Sequence, residues 1–190
     1  MAVDGVYYET ELSGTQTKNL GGLKQEYEVC RQIMHNASKN YSFSSLFLPA
    51  DKRPHVEALY AILRVGDDRV DVSHAGFSTP LKAIEDWRKS YWRAFEQGDS
   101  PNPVLRAYLH TAQKFCIPAD ILNPYFRAMQ DDLSITRFPE FDDLLYYMEG
   151  SAMPVGQAMS HILGTNTAKV SYAYAAADSL SGSLLACSGE

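Results

Sequence analysis

Disulfide chemistry has little to work with in this chain. Only three cysteines occur, Cys30, Cys116 and Cys187, widely spaced and odd in number. That pattern excludes a disulfide framework and points to reduced thiols in a cytoplasmic setting. No Cys-x-x-Cys pair or histidine-rich ligand spacing is present, and the five histidines read as structural or surface residues. Positive charge is also scarce: 17 Lys and Arg against 23 Asp and Glu leave a net charge of −6. No basic stripe is available to displace counterions from a phosphate backbone, so nonspecific nucleic-acid binding is not expected. The same balance repels anionic lipid headgroups, although a local basic patch could override it. No window approaches the ~18 continuous apolar residues that would suggest a membrane-spanning helix. The N-terminal stretch holds Asp4, Glu9 and Glu11 and has neither an apolar core nor an early basic run. A signal or transit peptide is therefore not expected. Alternating β patterns, internal repeats and domain boundaries beyond the N-terminal tail are missing as well.

What is present is globular in composition, with 45% hydrophobic and 21% charged residues. Values of this kind belong to a packed domain, and a chain of this length defaults to one. The expectation is a loose tail over residues 1–22 and a single all-α domain over residues 23–190. Helical periodicity starts near Leu23, with Tyr27, Cys30, Ile33 and Met34 on one side. A short apolar piece from Ser42 to Leu48 stops at Pro49. Asp51 is a candidate N-cap with Pro54 in the first turn, and a long helix then runs to about Val72. Thr79-Pro80 opens a helix through Trp87, Tyr91 and Phe95 that ends at Gly98. Further helices are expected over Val104–Phe115, from Pro118 through Tyr125 and Met129, and from Pro139 through Tyr147. The Tyr147 helix should kink between Gly150 and Pro154, where proline removes a backbone donor. A last helix is expected over Ala168–Ala186.

The long helix carries the chemistry. At about 100° per residue, Tyr60, Arg64, Asp67 and Asp71 fall within one wedge of roughly 60°. Asp67 and Asp71 are four apart, so their side chains are neighbours and repel each other by about 0.2–0.5 kcal/mol. A divalent cation between them turns that repulsion into coordination. Mg²⁺ takes one or two carboxylates and completes its shell with water and phosphate oxygens. Arg64, one turn earlier, could hold the same phosphate through its planar fork. The ordinary reading of such a helix is a solvated face. Against it, Ala58, Leu59, Ala61, Ile62, Leu63 and Val65 make the rest of the helix apolar. Gly66 has two readings, close helix packing or room for a ligand beside Asp67.

These residues resemble the opening of the squalene/phytoene synthase family. The resemblance rests on Ser38-Lys39-Asn40-Tyr41, Leu46-Phe47-Leu48-Pro49, Glu57-Ala58-Leu59-Tyr60-Ala61 and Arg64-x-x-Asp67-Asp68-x-x-Asp71. A second block, from Tyr147 through Gly150 and Pro154 to Gly156, is similar to a later helix of the family, and Asp131, Asp132 and Arg137 also fit. The resemblance implies an isoprenoid-synthase-type helical bundle. It implies Mg²⁺-dependent head-to-head condensation of two prenyl diphosphates through a cyclopropylcarbinyl diphosphate. By the same resemblance Asp67 and Asp71 are metal ligands, with Asp68 less securely placed. Asp67, Asp71 and Tyr147 are catalytic, and Ser38, Lys39, Tyr41, Tyr60 and Arg64 bind substrate. The implied substrate is farnesyl or geranylgeranyl diphosphate. NADPH is implied only for a squalene-forming member, and peripheral membrane contact for release of an apolar product. The product stays open among squalene, hydroxysqualene, dehydrosqualene and phytoene.

The family also carries a second aspartate-rich motif, preceded by Gln and Asn, and no such set follows in this sequence. The expectation is therefore a bundle incomplete at its C-terminal side. These residues alone are not expected to turn over a prenyl diphosphate, because diphosphate charge needs ligands from both sides of the cavity. The competing reading is a non-catalytic helical scaffold or lipid-binding protein built on the same fold.

Overall fold

A computed structural model describes residues 22–71, 76–134 and 140–164. Its elements are α1 (Lys24–Ala37), α2 (Lys39–Ser45), α3 (Arg53–Asp71), α4 (Pro80–Gln97), α5 (Pro103–Lys114), α6 (Asn123–Asp131), α7 (Phe141–Ser151) and α8 (Met153–Leu163). No strand occurs among the described residues. The expected tail up to residue 21, the helix over Ala168–Ala186, Pro139 and Arg137 lie outside the described residues.

Local chemistry sets the helix ends. Ser38 caps α2 by accepting the Tyr41 amide at 3.2 Å. Thr79 caps α4 through the Lys82 amide, and Asn102 caps α5 through Val104 and Leu105. Pro80 and Pro103 follow their caps, where the missing N–H costs nothing. Glu140 and Asp143 form a capping box at the start of α7. Gly98 ends α4 with φ 70°, in the left-handed region that suits glycine.

Two expectations change. Residues after Pro118 form turns, and the helix starts at Asn123 with Pro124 in its first turn. Pro124 supplies the better helix start, and the earlier proline closes a turn on the Ile121 amide. The kink between Gly150 and Pro154 is a full break. α7 ends at Ser151 and α8 starts at Met153, with Pro154 in its first turn.

α3 is the central helix, packed against α1, α4, α5, α6 and α8. Its apolar stripe of Val56, Ala58, Leu59, Ala61 and Ile62 is buried. Trp87 of α4 lies in the same core and donates its indole N–H to the Ile62 carbonyl at 3.2 Å. Gly150 brings α7 close to α6, since a Cβ there would lie 3.0 Å from the Ala128 Cβ and 3.2 Å from the Pro124 carbonyl.

The N-terminal half of α3 also buries polar groups. The ammonium of Lys114 has only donors and lies 3.0 Å from His55 Nε2, so that nitrogen accepts. Nδ1 then carries the hydrogen and faces Thr111 at 2.9 Å and Tyr27 at 3.0 Å. Burial, reinforced by Lys114, pushes His55 down to about 3, which keeps the ring neutral. Tyr27 in turn lies 2.7 Å from His110 Nδ1. This seam ties α1, α3 and α5 together.

Glu57 is 4% exposed, and burial raises its carboxyl from 4.5 to about 7 despite the nearby charges of Arg31 and Arg53. The folded state therefore holds a proton that the unfolded state releases between those two values. Its contribution to stability is complete below pH 4.5 and declines as pH rises to about 7. Glu57→Gln removes that titration. The stability of the variant relative to wild type should rise by up to about 3 kcal/mol between acid and neutral pH. Thermal melts of both proteins across that range check it, and a constant difference would remove Glu57 as the cause.

Candidate active site

The C-terminal half of α3 borders two compartments that share Leu63, Arg64, Asp67 and Val155. One is polar, with a volume near 370 Å³, and brings Asp67 and Asp71 together with Tyr125, Asp132 and Tyr147. The other is apolar, near 630 Å³, and runs between Met34, Leu59, Met159 and Leu163, with Tyr41 and Tyr60 on its wall. The rings of Tyr41 and Tyr60 lie 5.5 Å apart. The wedge of Tyr60, Arg64, Asp67 and Asp71 thus faces two adjoining compartments, with Arg64 and Asp67 on the border.

Asp67 is the most constrained of these groups. Its Oδ1 accepts from the Tyr125 hydroxyl at 2.9 Å. Burial raises its carboxyl from 3.8 to about 6. The Tyr125 bond and Arg64 pull it down, while Asp71 and Asp68 push it up. Arg64 forms an ion pair with Asp68 at 2.5 Å, both side chains about one-third exposed. A pair of that exposure contributes little, so Arg64 can leave Asp68 for another anion at small cost. Asp68 is not among the residues lining the polar compartment.

Across the compartment, Tyr147 donates to Asp132 Oδ2 at 3.1 Å. Burial, with Asp132 beside it, raises the phenol and keeps its proton in place. Asp132 itself is raised by burial and by repulsion from Asp71, partly offset by the Tyr147 bond.

Ser38 and Lys39 sit differently from the rest. Ser38 spends its side chain on the α2 cap and Lys39 is exposed. Neither lines the two compartments. α2 reaches the apolar compartment through Tyr41, Ser44 and Ser45.

One residue of the site carries no mark in the sequence, and a second is only partly specified by it. Tyr125 gave no motif signal; a tyrosine on an amphipathic helix reads as core. Asp132 fits the family pattern, with pairing to Arg137 or a neighbour as its ordinary reading; its bond to Tyr147 is what the structure adds. Gly66 was the one available hint. A Cβ on Gly66 would lie 2.2 Å from the Tyr125 hydroxyl oxygen, so the phenol fills the space above it. Of its two readings, close packing is the one observed.

The donor set fits a hard divalent cation. Two carboxylates with like charge line one wall, and burial makes the charge on Asp67 costly without a counter-ion. Among the described residues, no group of three or more His, Cys, Asp or Glu side chains converges as a metal site. Further ligands have to come from water and substrate oxygens or from residues outside those described.

A family model described as squalene/phytoene synthase matches residues 34–184. The chain belongs to the squalene/phytoene synthase family. It is 28% identical over 152 residues to the 4,4'-diapophytoene synthase of Staphylococcus haemolyticus, which covers 80% of this chain and 53% of that protein. It is 30% identical over 139 residues to the phytoene synthase of Arthrospira platensis, covering 73% of this chain and 44% of that one. A crystal structure of a squalene synthase from Alicyclobacillus acidocaldarius is 30% identical with a TM-score of 0.68, over 76% of this chain and 53% of that chain. A ligand-bound dehydrosqualene synthase at 22% identity and TM-score 0.65 shares the fold. The chain spans about half the length of the curated relatives it matches.

The apolar compartment is open to a direct probe. Met159→Trp places an indole in it without touching the polar wall. Binding of anilinonaphthalene sulfonate, followed by fluorescence, should weaken several-fold with the melting temperature nearly unchanged. Undiminished dye binding would show that this compartment does not accept apolar ligands.

Proposed function

We propose that this chain forms part of a Mg²⁺-dependent enzyme that joins two prenyl diphosphates head to head. The observation that carries the reading is the junction at Asp67 and Arg64, which line both a carboxylate-bearing compartment and an apolar one. A prenyl diphosphate has the same two-part character, a charged head on a long hydrocarbon tail. In this reading Asp67 and Asp71 hold Mg²⁺, and Arg64 exchanges Asp68 for a diphosphate oxygen. The cation, when bound, supplies Lewis-acid stabilisation of the charge that develops on the leaving diphosphate. Tyr41 and Tyr60 line the tail's path, and Tyr147, held by Asp132, presents its ring and hydroxyl at the polar end. The apolar walls keep water from an allylic cation.

The substrate is farnesyl or geranylgeranyl diphosphate, and NADPH joins the proposal only for a squalene-forming product. No described helix is long and apolar enough to cross a membrane. Peripheral contact for product release is part of the same reading. Phe43 and Phe47 of the α2 region are exposed, and Tyr41 and Ser45 beside them line the apolar compartment.

Calorimetric titration with farnesyl diphosphate tests the arrangement without requiring turnover. Binding should depend on Mg²⁺, and Asp67→Asn or Asp71→Asn should each weaken it about tenfold, or 1.4 kcal/mol. Arg64→Ala should weaken it both with and without the metal. Equal affinity in chelator and in Mg²⁺, unaffected by either aspartate change, would favour the lipid-binding scaffold instead.

A further inference from the structure

Asp67 differs from Asp71 in having a partner from another helix. Tyr125 of α6 is 3% exposed, and its hydroxyl lies 2.9 Å from Asp67 Oδ1 and 2.6 Å from the Leu63 carbonyl. Leu63 is four residues before Asp67, so its carbonyl is also the acceptor for the Asp67 amide in a regular helix. The phenol's single proton is therefore shared, as a bifurcated donor, between the backbone and the side chain of a single turn of α3. Only glycine at position 66 permits this approach, since a Cβ would fall 2.2 Å from the hydroxyl oxygen and 3.1 Å from the ring carbon bearing it. Glycine inside a helix costs roughly 1 kcal/mol relative to alanine, and this contact is what Gly66 makes room for.

From this geometry we infer that Tyr125 is a positioning residue for the metal site. It holds one oxygen of Asp67 so that the carboxylate stays in one orientation at the compartment shared with Asp71. The inference rests on the reading of Asp67 as a metal ligand, but the geometry it describes exists without the metal. Core tyrosines need only one acceptor, and the Leu63 carbonyl already provides it. The second contact, to a functional carboxylate, is what a purely structural role leaves unexplained. Outer partners of metal ligands fix ligand orientation, and their loss typically lowers metal affinity by about tenfold or more. α6 then serves both walls, because its C-cap residue Asp132 also anchors Tyr147.

The test uses Tyr125→Phe, which keeps the ring and removes the hydroxyl. Mn²⁺ affinity, followed by electron paramagnetic resonance, should fall about tenfold. The Hα–Hβ couplings of Asp67, measured by NMR without metal, should change from one fixed rotamer to an average. Gly66→Ala should lower the melting temperature strongly in the wild-type background and less in a Tyr125→Phe background, where the clashing oxygen is gone. Unchanged Asp67 couplings in Tyr125→Phe would overturn the inference, as would unchanged Mn²⁺ affinity in a protein that binds Mn²⁺. If the wild type binds no Mn²⁺, the metal reading of the site fails. The couplings then still decide whether Tyr125 positions Asp67.

Discussion

A buried helix that ends in carboxylates has to solve an electrostatic problem. α3 is packed on most sides over its apolar stripe, and burial drives it to bring Asp67 out of water with the rest. Desolvation raises the Asp67 carboxyl to about 6, and Asp71 and Asp68 add repulsion. Hydrogen bonding from Tyr125 and the charge of Arg64 offset only part of this. The remaining imbalance is what a bound cation would cancel. Tyr125 of α6, admitted by the glycine at 66, and the polar lining beside it all meet at that carboxylate.

Two solvents meet at this point. On one side Asp71, Asp132 and Tyr147 provide charge and hydrogen bonds; on the other Met34, Leu59 and Met159 provide hydrocarbon. Asp67 and Arg64 border both. The opposite half of α3 is different in kind. There His55, Tyr27 and Thr111 satisfy one another inside the core, with His55 held neutral. That seam binds helices together and leaves chemistry to the other end.

Much of this was legible in the chain itself. Thr79, followed by proline, marks a helix start where it occurs, whereas the cap that Asn102 supplies to α5 is seen only in the structure. The spacing of Tyr60, Arg64, Asp67 and Asp71 implied one shared face, because helical periodicity is a local property. Contacts between helices were less accessible. Nothing local distinguishes Tyr125 from a core tyrosine, and Gly66 hinted at a close neighbour without naming it. Pro118 reads as a helix start because a proline tolerates either a turn or a first helical turn, and Pro124 six residues on takes the latter place. The break at Ala152 exceeded the expected kink because Pro154 starts α8. Ser38 carries a substrate role only by resemblance, and its oxygen also caps α2, a role that its position before the helix fits.

The central claim is that a divalent cation sits between Asp67 and Asp71 at the far end of α3 from the histidine seam. Asp67 and His55 are separated by twelve residues, about 18 Å along a helix. Substoichiometric Mn²⁺ added to isotope-labelled protein reports this directly through paramagnetic line broadening. The account predicts early loss of the amide signals of Asp67, Asp71, Asp132 and Tyr147, with Tyr27, His55 and Thr111 still sharp. Broadening centred on the histidine seam, or spread evenly over the surface carboxylates, would contradict it.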